Sequence, residues 1–203
     1  MPKNFALTKG AETRRAIIRQ AAPIFNRKGF EGAAMSDLME ATGLEKGGIY
    51  RHFESKEELA AEAFDYAWSI ASAKRRVHMD QIADPVAKLK QHVANFLTRS
   101  GLPGGCPLLN TAVDSDNGNP ILRDKVRKAL RGWQTMIVEI LEGGIATGVI
   151  RADIDRSAVA NYMIGSLEGT MLISRIERND SVLGQTVERL NLYLDSLLRV
   201  SHS

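Results

Sequence analysis

Between Met35 and Phe53 the chain reads Met-Ser-Asp-Leu-Met-Glu-Ala-Thr-Gly-Leu-Glu-Lys-Gly-Gly-Ile-Tyr-Arg-His-Phe, and no other stretch restricts the possible folds as strongly. Leu38, Ala41, Leu44, Ile49 and Phe53 are spaced to give two short helices one shared apolar seam. Gly43 stands where the first helix must end, a place where glycine tolerates a positive φ. Ser36, Lys46, Tyr50, Arg51 and His52 fall outside the seam, and each carries a donor suited to phosphate oxygens or base edges. A second helix with such an outer face is what a helix-turn-helix presents to the DNA major groove. The same pattern also serves merely to pack two helices, so the flanks carry weight.

Upstream, Glu12 to Lys28 places Ala16, Ile17, Ala21, Ile24 and Phe25 on one buried helical stripe. Pro23 falls inside that helix and predicts a kink, since an interior proline costs roughly 3 kcal/mol. Downstream, Ser55 and Glu58 have capping-box spacing, so a further helix is expected from about Lys56. That puts a lysine and the positive end of a helix beside the same surface, and both suit a phosphate. Charge agrees: residues 1–56 hold ten Lys or Arg against six Asp or Glu, while the rest is nearly neutral. Lys3 and Lys9 precede the first helix, where a tail or an arm along the phosphate backbone is the expectation.

Residues 11–60 resemble the DNA-binding domain of the TetR/AcrR family of bacterial transcriptional regulators. The resemblance rests on Ala21-Ala-Pro-Ile-Phe-Asn-Arg-Lys-Gly-Phe30, on Asp37-Leu38, and on Ala41-Thr-Gly-Leu-Glu-Lys-Gly-Gly-Ile-Tyr-Arg-His-Phe-Glu-Ser-Lys-Glu-Glu-Leu59. It implies that Lys46, Tyr50, His52 and Lys56 meet phosphates, and that Gly47, Gly48 and Arg51 approach bases or the groove floor. Ser36 joins these as a compensating contact, because Ala33 and Ala34 stand where such proteins usually carry threonine or serine. Gly47 and Gly48 have no side chains, so base reading leans on Lys46, Tyr50, Arg51 and DNA shape.

The remainder reads as helices with brief interruptions: Leu59 to Met79, Pro85 to Ser100, Pro107 to Val113, Pro120 to Thr147, Arg156 to Arg178, and Ser181 to Val200. Asp84-Pro85 and Asp155 are start signals, and Ser100-Gly-Leu-Pro-Gly-Gly-Cys-Pro is the strongest break. The fifth helical stretch of the chain places Val86, Leu89, Val93, Phe96 and Leu97 on its buried stripe. No segment has strand periodicity. The expected fold is all-α, with a helix-turn-helix head in residues 1–56 and an effector-binding and dimerisation body in residues 57–203. No apolar run approaches the ~20 residues needed to cross a bilayer. The N-terminal residues lack a signal-peptide core, and a single cysteine suits a reducing cytoplasm.

Two further expectations concern the body. Tyr162, Gly165, Ser166, Gly169 and Ile173 on one helix, and Leu190, Leu194 and Leu197 on the last, form faces that either cover the subunit's own core or meet a second copy. The resemblance favours a homodimer, which places two reading helices in successive major grooves of a palindromic operator in double-stranded DNA. Phe64, Trp68, Phe96, Cys106, Leu109 and Trp133, with Met136, Ile137, Met163, Leu167 and Met171, are either core or the lining of a cavity for an unidentified small-molecule effector. The resemblance implies a repressor released from DNA by that ligand, through its differential affinity for two states.

Cys106 precedes an expected helix start, where amides and the dipole lower a thiol pKa, so an oxidant- or electrophile-sensing role competes with a buried structural one. An architectural DNA binder without sequence preference is the other alternative. Catalysis finds no foothold. Gly165-Ser-Leu-Glu-Gly169 lies in a helical pattern, and Gly143-Gly-Ile-Ala-Thr-Gly148 lacks the lysine of a phosphate loop. His52, His78, His92 and His202 are scattered, so no metal site and no cofactor are expected.

Overall fold

The computed structural model describes residues 8–97, 101–116 and 118–198 of the chain. Their regular elements are helical: α1 (Lys9–Gly32), α2 (Met35–Thr42), α3 (Lys46–Tyr50), α4 (Lys56–Arg75), α5 (Pro85–Phe96), α6 (Pro107–Ser115), α7 (Pro120–Ala146), α8 (Arg156–Glu177) and α9 (Ser181–Tyr193). A short 3₁₀ turn occupies Met79–Gln81, and a π-helical turn, Leu194–Leu198, continues α9. No strand occurs among the described residues, which makes the fold all-α as expected. Among the described residues no helix is long and apolar enough to cross a membrane.

Helix starts follow local chemistry. The Asp84 carboxylate accepts the Ala87 amide at 2.7 Å ahead of Pro85, and Asp155 accepts the Ser157 and Ala158 amides at 2.9 and 3.0 Å. Ser55 Oγ accepts the Glu58 amide at 3.1 Å, while Glu58 accepts the amide of Glu54 at 2.6 Å. Ends are less local. α4 stops at Arg75 rather than Met79, because His78 takes a left-handed φ of 63. The expected helix ends at Ser100 and Val200 lie outside the described residues. Pro23 sits within α1 with helical neighbours, and the break falls instead at Gly29, with φ 74 and ψ 175. The expected kink is therefore displaced by six residues, to a residue that tolerates those dihedrals.

The chain divides into two compact units, Met1–Ile70 with Leu102–Arg127, and Ala71–Gly101 with Lys128–Ser203. The first unit is built on Ile17, Ala21, Ile24, Leu38, Ile49, Phe53 and Leu59, all buried, with Leu44, Phe25 and Met39 packed at the margin. Ala41 departs from its expected place in the seam and is exposed. Met35, Leu38, Met39 and Thr42 make the inward face of α2, and Ala41 projects away from it. Fully burying a leucine or phenylalanine contributes about 1.5–3 kcal/mol, so this small core carries the helix-turn-helix.

The second unit buries Val86, Leu89, Val93 and Phe96 of α5, Ile137 and Leu141 of α7, and Val159, Met163 and Leu167 of α8. Leu97, expected on the same stripe, is 37% exposed beyond the end of α5. At its centre lies a polar cluster. The last carbonyl of α4, at Arg75, accepts from His92 Nδ1 at 3.0 Å and Asn95 Nδ2 at 3.2 Å. Arg75 itself is buried, pairs with Glu168 at 3.3 Å, and lies over the Phe96 and Trp133 rings. Trp133 Nε1 donates to His92 Nε2 at 2.8 Å. An indole nitrogen only donates, so the His92 proton resides on Nδ1.

Burial, with Arg75 and Arg76 nearby, pushes the His92 pKa down to about 4. The unfolded chain then binds a proton before the folded one does, so stability is lost as pH falls from about 6.5 to about 4. Denaturant titrations at pH 7 and 4.5 should show a loss on the order of 3 kcal/mol that is absent in His92→Gln. An equal loss in both proteins would remove His92 as its source.

Candidate nucleic-acid interface

The turn between α2 and α3 is set by Gly43, which takes φ 64 and ψ 19 and donates its amide to the Met39 carbonyl at 2.9 Å. Thr42 Oγ1 donates to the Leu38 carbonyl at 2.7 Å and accepts the Leu44 amide at 3.4 Å. Glu45 opens α3 through its carbonyl, which accepts the amides of Gly48 and Ile49. Ile49 is buried, and this rolls Lys46, Gly47 and Arg51 outward to solvent. Tyr50 and His52 are half-buried at the edge of the face, and Ser36 is exposed near the start of α2.

Arg14, Tyr50 and Lys56 hold this face. Arg14 of α1 donates through Nε to the His52 carbonyl at 3.1 Å, pairs with Glu58 at 2.7 Å and with Glu62, and covers the Phe53 ring. Its hydrogen bond to Glu62 is the main reason its pKa is raised. Tyr50 donates its hydroxyl to Met35 Sδ at 3.6 Å, and Lys46 Nζ lies 5.9 Å from the Tyr50 ring centre. Lys56 Nζ donates to the Phe30 carbonyl at 2.6 Å and sits over that ring. This use was invisible in the sequence, and it leaves two further ammonium donors.

The start of α2 shows what the two alanines do. Ala33 is fully buried, and Ala34 is an N-cap without a capping side chain. Asp37 takes the capping part instead, accepting the Ala34 amide at 3.0 Å and pairing with Lys28 at 2.7 Å. The Lys28 bond holds its carboxyl below the usual range, with the Ala34 amide adding to it.

Gly47 is informative for what surrounds it. A Cβ built there meets nothing within 4 Å, so the fold of the chain does not demand glycine. An interior helical glycine costs about 1 kcal/mol against alanine. A Cβ built on Gly48 would lie 3.4 Å from Leu44 Cβ, an ordinary van der Waals contact.

The effector candidates divide between the two units. Phe64, Trp68, Cys106 and Leu109 belong to the first, where Phe64 lines a cavity of about 20 Å³, room for roughly one water. Cys106 is the N-cap of α6 and only 4% exposed. In the second unit Phe96 and Trp133 stack at 6.0 Å, and Ile137, Met163 and Leu167 are buried. Met171 is half-buried, and Met136 lines an open groove of about 480 Å³ with Met79, Lys88 and Ile140.

On α8, Tyr162, Gly165, Gly169 and Ile173 are exposed, Ser166 is half-buried, and Leu172 and Ile176 extend the same apolar face. A Cβ at Gly165 or Gly169 would meet nothing within 4 Å. Leu190 and Leu194 point the other way, into the unit's own core, because α9 needs them against α5 and α8. The side chain of Leu197 lies outside the described residues.

Comparison with known proteins places this geometry. Residues 17–63 match the family model described as "Bacterial regulatory proteins, tetR family", and residues 84–190 match "Tetracyclin repressor-like, C-terminal domain". A TetR transcriptional regulator from Chloroflexus aurantiacus is 40% identical and superposes with a TM-score of 0.91, covering 96% of this chain and 100% of that one. A TetR-family regulator from Cytophaga hutchinsonii is 34% identical with a TM-score of 0.90, over 97% and 100% of the two chains. The HTH-type transcriptional repressor DhaR of Mycobacterium sp. is 27% identical over 85% of this chain and 87% of its own length.

Ala34 has φ −74 and ψ 153, the geometry in which serine caps a helix. Ala34→Ser should add about 1 kcal/mol. Calorimetry should therefore show Tm rising by about 2–4 °C; an unchanged Tm would mean that Asp37 already satisfies α2.

Proposed function

Because the chain belongs to the TetR family of bacterial regulatory proteins, we propose that this DNA-binding transcriptional regulator is a homodimeric repressor, released from a palindromic operator by a small molecule. The observation that carries the reading is the outer face of α2 and α3. Ser36, Lys46, Gly47 and Arg51 are exposed together, and Gly47 is a glycine that the fold does not require. A glycine on a reading helix lets its backbone approach the groove floor, which accounts for the helix propensity it forgoes. Lys46, Tyr50 and His52 then meet phosphates, Lys56 adds its two remaining donors, and Arg51 reads a base edge.

The reading assigns DNA recognition to residues 1–56 and effector binding and dimerisation to residues 57–203, although Leu102–Arg127 pack into the compact unit of the head. Support for the dimer comes from α8. Tyr162, Leu172, Ile173 and Ile176 are 44–72% exposed, and two glycines lie flush among them. Such a face suits close approach of the same face on a second copy. Leu192 of α9 is exposed as well. The ligand reading rests on the apolar residues of the second unit, Met136 and Met171 among them, and on the body's match to a repressor-like domain. A cytoplasmic location follows from the same reading.

Selection of bound sequences from a random duplex library should recover a palindrome. Retention without any enriched motif would favour an architectural binder instead. On the recovered site, Lys46→Ala should weaken binding to all variants alike and lower the salt slope by about 0.9. Arg51→Ala should erase about 1–3 kcal/mol of discrimination at one position; loss of affinity without loss of preference would make it a phosphate contact. Gly169→Arg should leave the chain folded, yield monomers in sedimentation, and weaken operator binding roughly hundredfold. A dimer that persists would move the interface off α8.

A further inference from the structure

We propose that the break in α1 at Gly29 is a joint held open by Asn110 and Asp114 of α6, which thereby act as positioning residues for the DNA-reading helices. The inference rests on reading α2 and α3 as a DNA-binding head.

In an unbroken helix the Phe30 amide would bond to the Asn26 carbonyl four residues back. Here each group is matched by a side chain of α6. The Phe30 amide donates to Asp114 Oδ2 at 2.6 Å, and the Asn26 carbonyl accepts from Asn110 Nδ2 at 2.8 Å. Asn110 and Asp114 are four residues apart, one turn of α6, which matches the spacing of the two groups they hold. The dihedrals between those groups, φ 74 and ψ 175 at Gly29, are open essentially only to glycine. A Cβ on Gly29 would lie 2.6 Å from Asp114 Oδ1, so the carboxylate is seated directly against the break.

Asn110 is itself fixed. Its Nδ2 also donates to the Gly104 carbonyl at 2.7 Å, and Asn26 Nδ2 donates to the Pro103 carbonyl at 2.8 Å. The far side of the joint leads into the head. The Ala33 amide bonds to the Gly29 carbonyl at 3.2 Å, Ala34 caps α2, and the Phe30 carbonyl holds Lys56. A movement of α6 by about an ångström must therefore break these bonds or carry the start of α2 with it, since hydrogen bonds weaken beyond about 3.2 Å.

The bonds from α6 stand in for the helical bond that the break forgoes. Without Asp114, Gly29 is free to take helical dihedrals, and the Phe30–Asn26 bond closes. The chain from Gly29 to Ala34 then loses its anchor, and the start of α2 shifts against the core that it shares with α1. The side chains of α6 thus set where α2 begins.

The test compares full-length wild type with Asp114→Ala and Asp114→Asn, each first shown to melt cooperatively. Asparagine keeps an acceptor oxygen for the Phe30 amide, and alanine does not. On the operator selected by the wild type, Asp114→Ala should bind at least tenfold more weakly, with Asp114→Asn within about threefold. Backbone carbon shifts of Asp114→Ala should turn helical at Gly29 and change through Met35–Tyr50, while those of Asp114→Asn stay put. Wild-type affinity in Asp114→Ala, or unchanged shifts across Met35–Tyr50, would overturn the joint. If the wild type itself selects no DNA, the DNA-reading premise fails, and the carbon shifts alone still decide whether α6 holds the joint.

Discussion

Arg14 is the point on which the reading face depends. α3 has only five residues, too few to hold its own direction, and its end must be fixed from outside. Arg14 does this by donating to the His52 carbonyl while its other nitrogens meet Glu58 and Glu62 on α4. Its flat cation also covers Phe53, the last residue of the seam. One side chain on α1 therefore joins the end of the reading helix to the start of α4. At about one-third exposure its ion pairs add little stability, and their value lies in direction.

Lys56 and Asp37 repeat this arrangement on the other flank of the face. Lys56 ties the start of α4 to the Phe30 carbonyl, and Asp37 closes the open amide of Ala34 while pairing with Lys28. Charged residues that read from sequence as a generic basic head are thus of two kinds. Lys46 and Arg51 remain directed outward, Arg14 and Lys28 are occupied in holding the frame, and Lys56 gives it one of three donors. A net charge counts both kinds alike and overstates the number available to DNA.

What was legible in the sequence was local. Gly43, Asp84-Pro85, Ser55-Glu58 and Asp155 each determine a helix end through groups within four residues, and each does what its residue type implies. The fold class and the outward residues of α3 followed from the same short-range logic. Ala41 was misplaced because an eight-residue helix with a wide apolar stripe leaves its inward direction uncertain by about one residue. The break in α1 was attributed to Pro23, whereas it falls at Gly29, and the Phe30 amide beside it is held by Asp114, 84 residues further along. Leu190 and Leu194 suited either the subunit's own core or an interface, because only tertiary packing decides which side of an amphipathic helix is covered first. His92 and Glu168 passed unnoticed for a related reason, since their partners come from other helices.

The ion pair between Arg75 and Glu168 has a consequence for uniqueness. Both side chains are more than nine-tenths buried, so neither charge has bulk water as an alternative. An apolar core tolerates a one-turn slide of a helix at modest cost, since one leucine replaces another. Such a slide of α8 would displace Glu168 by about 5.4 Å and break the buried pair, at roughly 3–5 kcal/mol. Glu168 therefore acts as a register pin: it adds little net stability, but makes the neighbouring packings of the same leucines and methionines markedly worse.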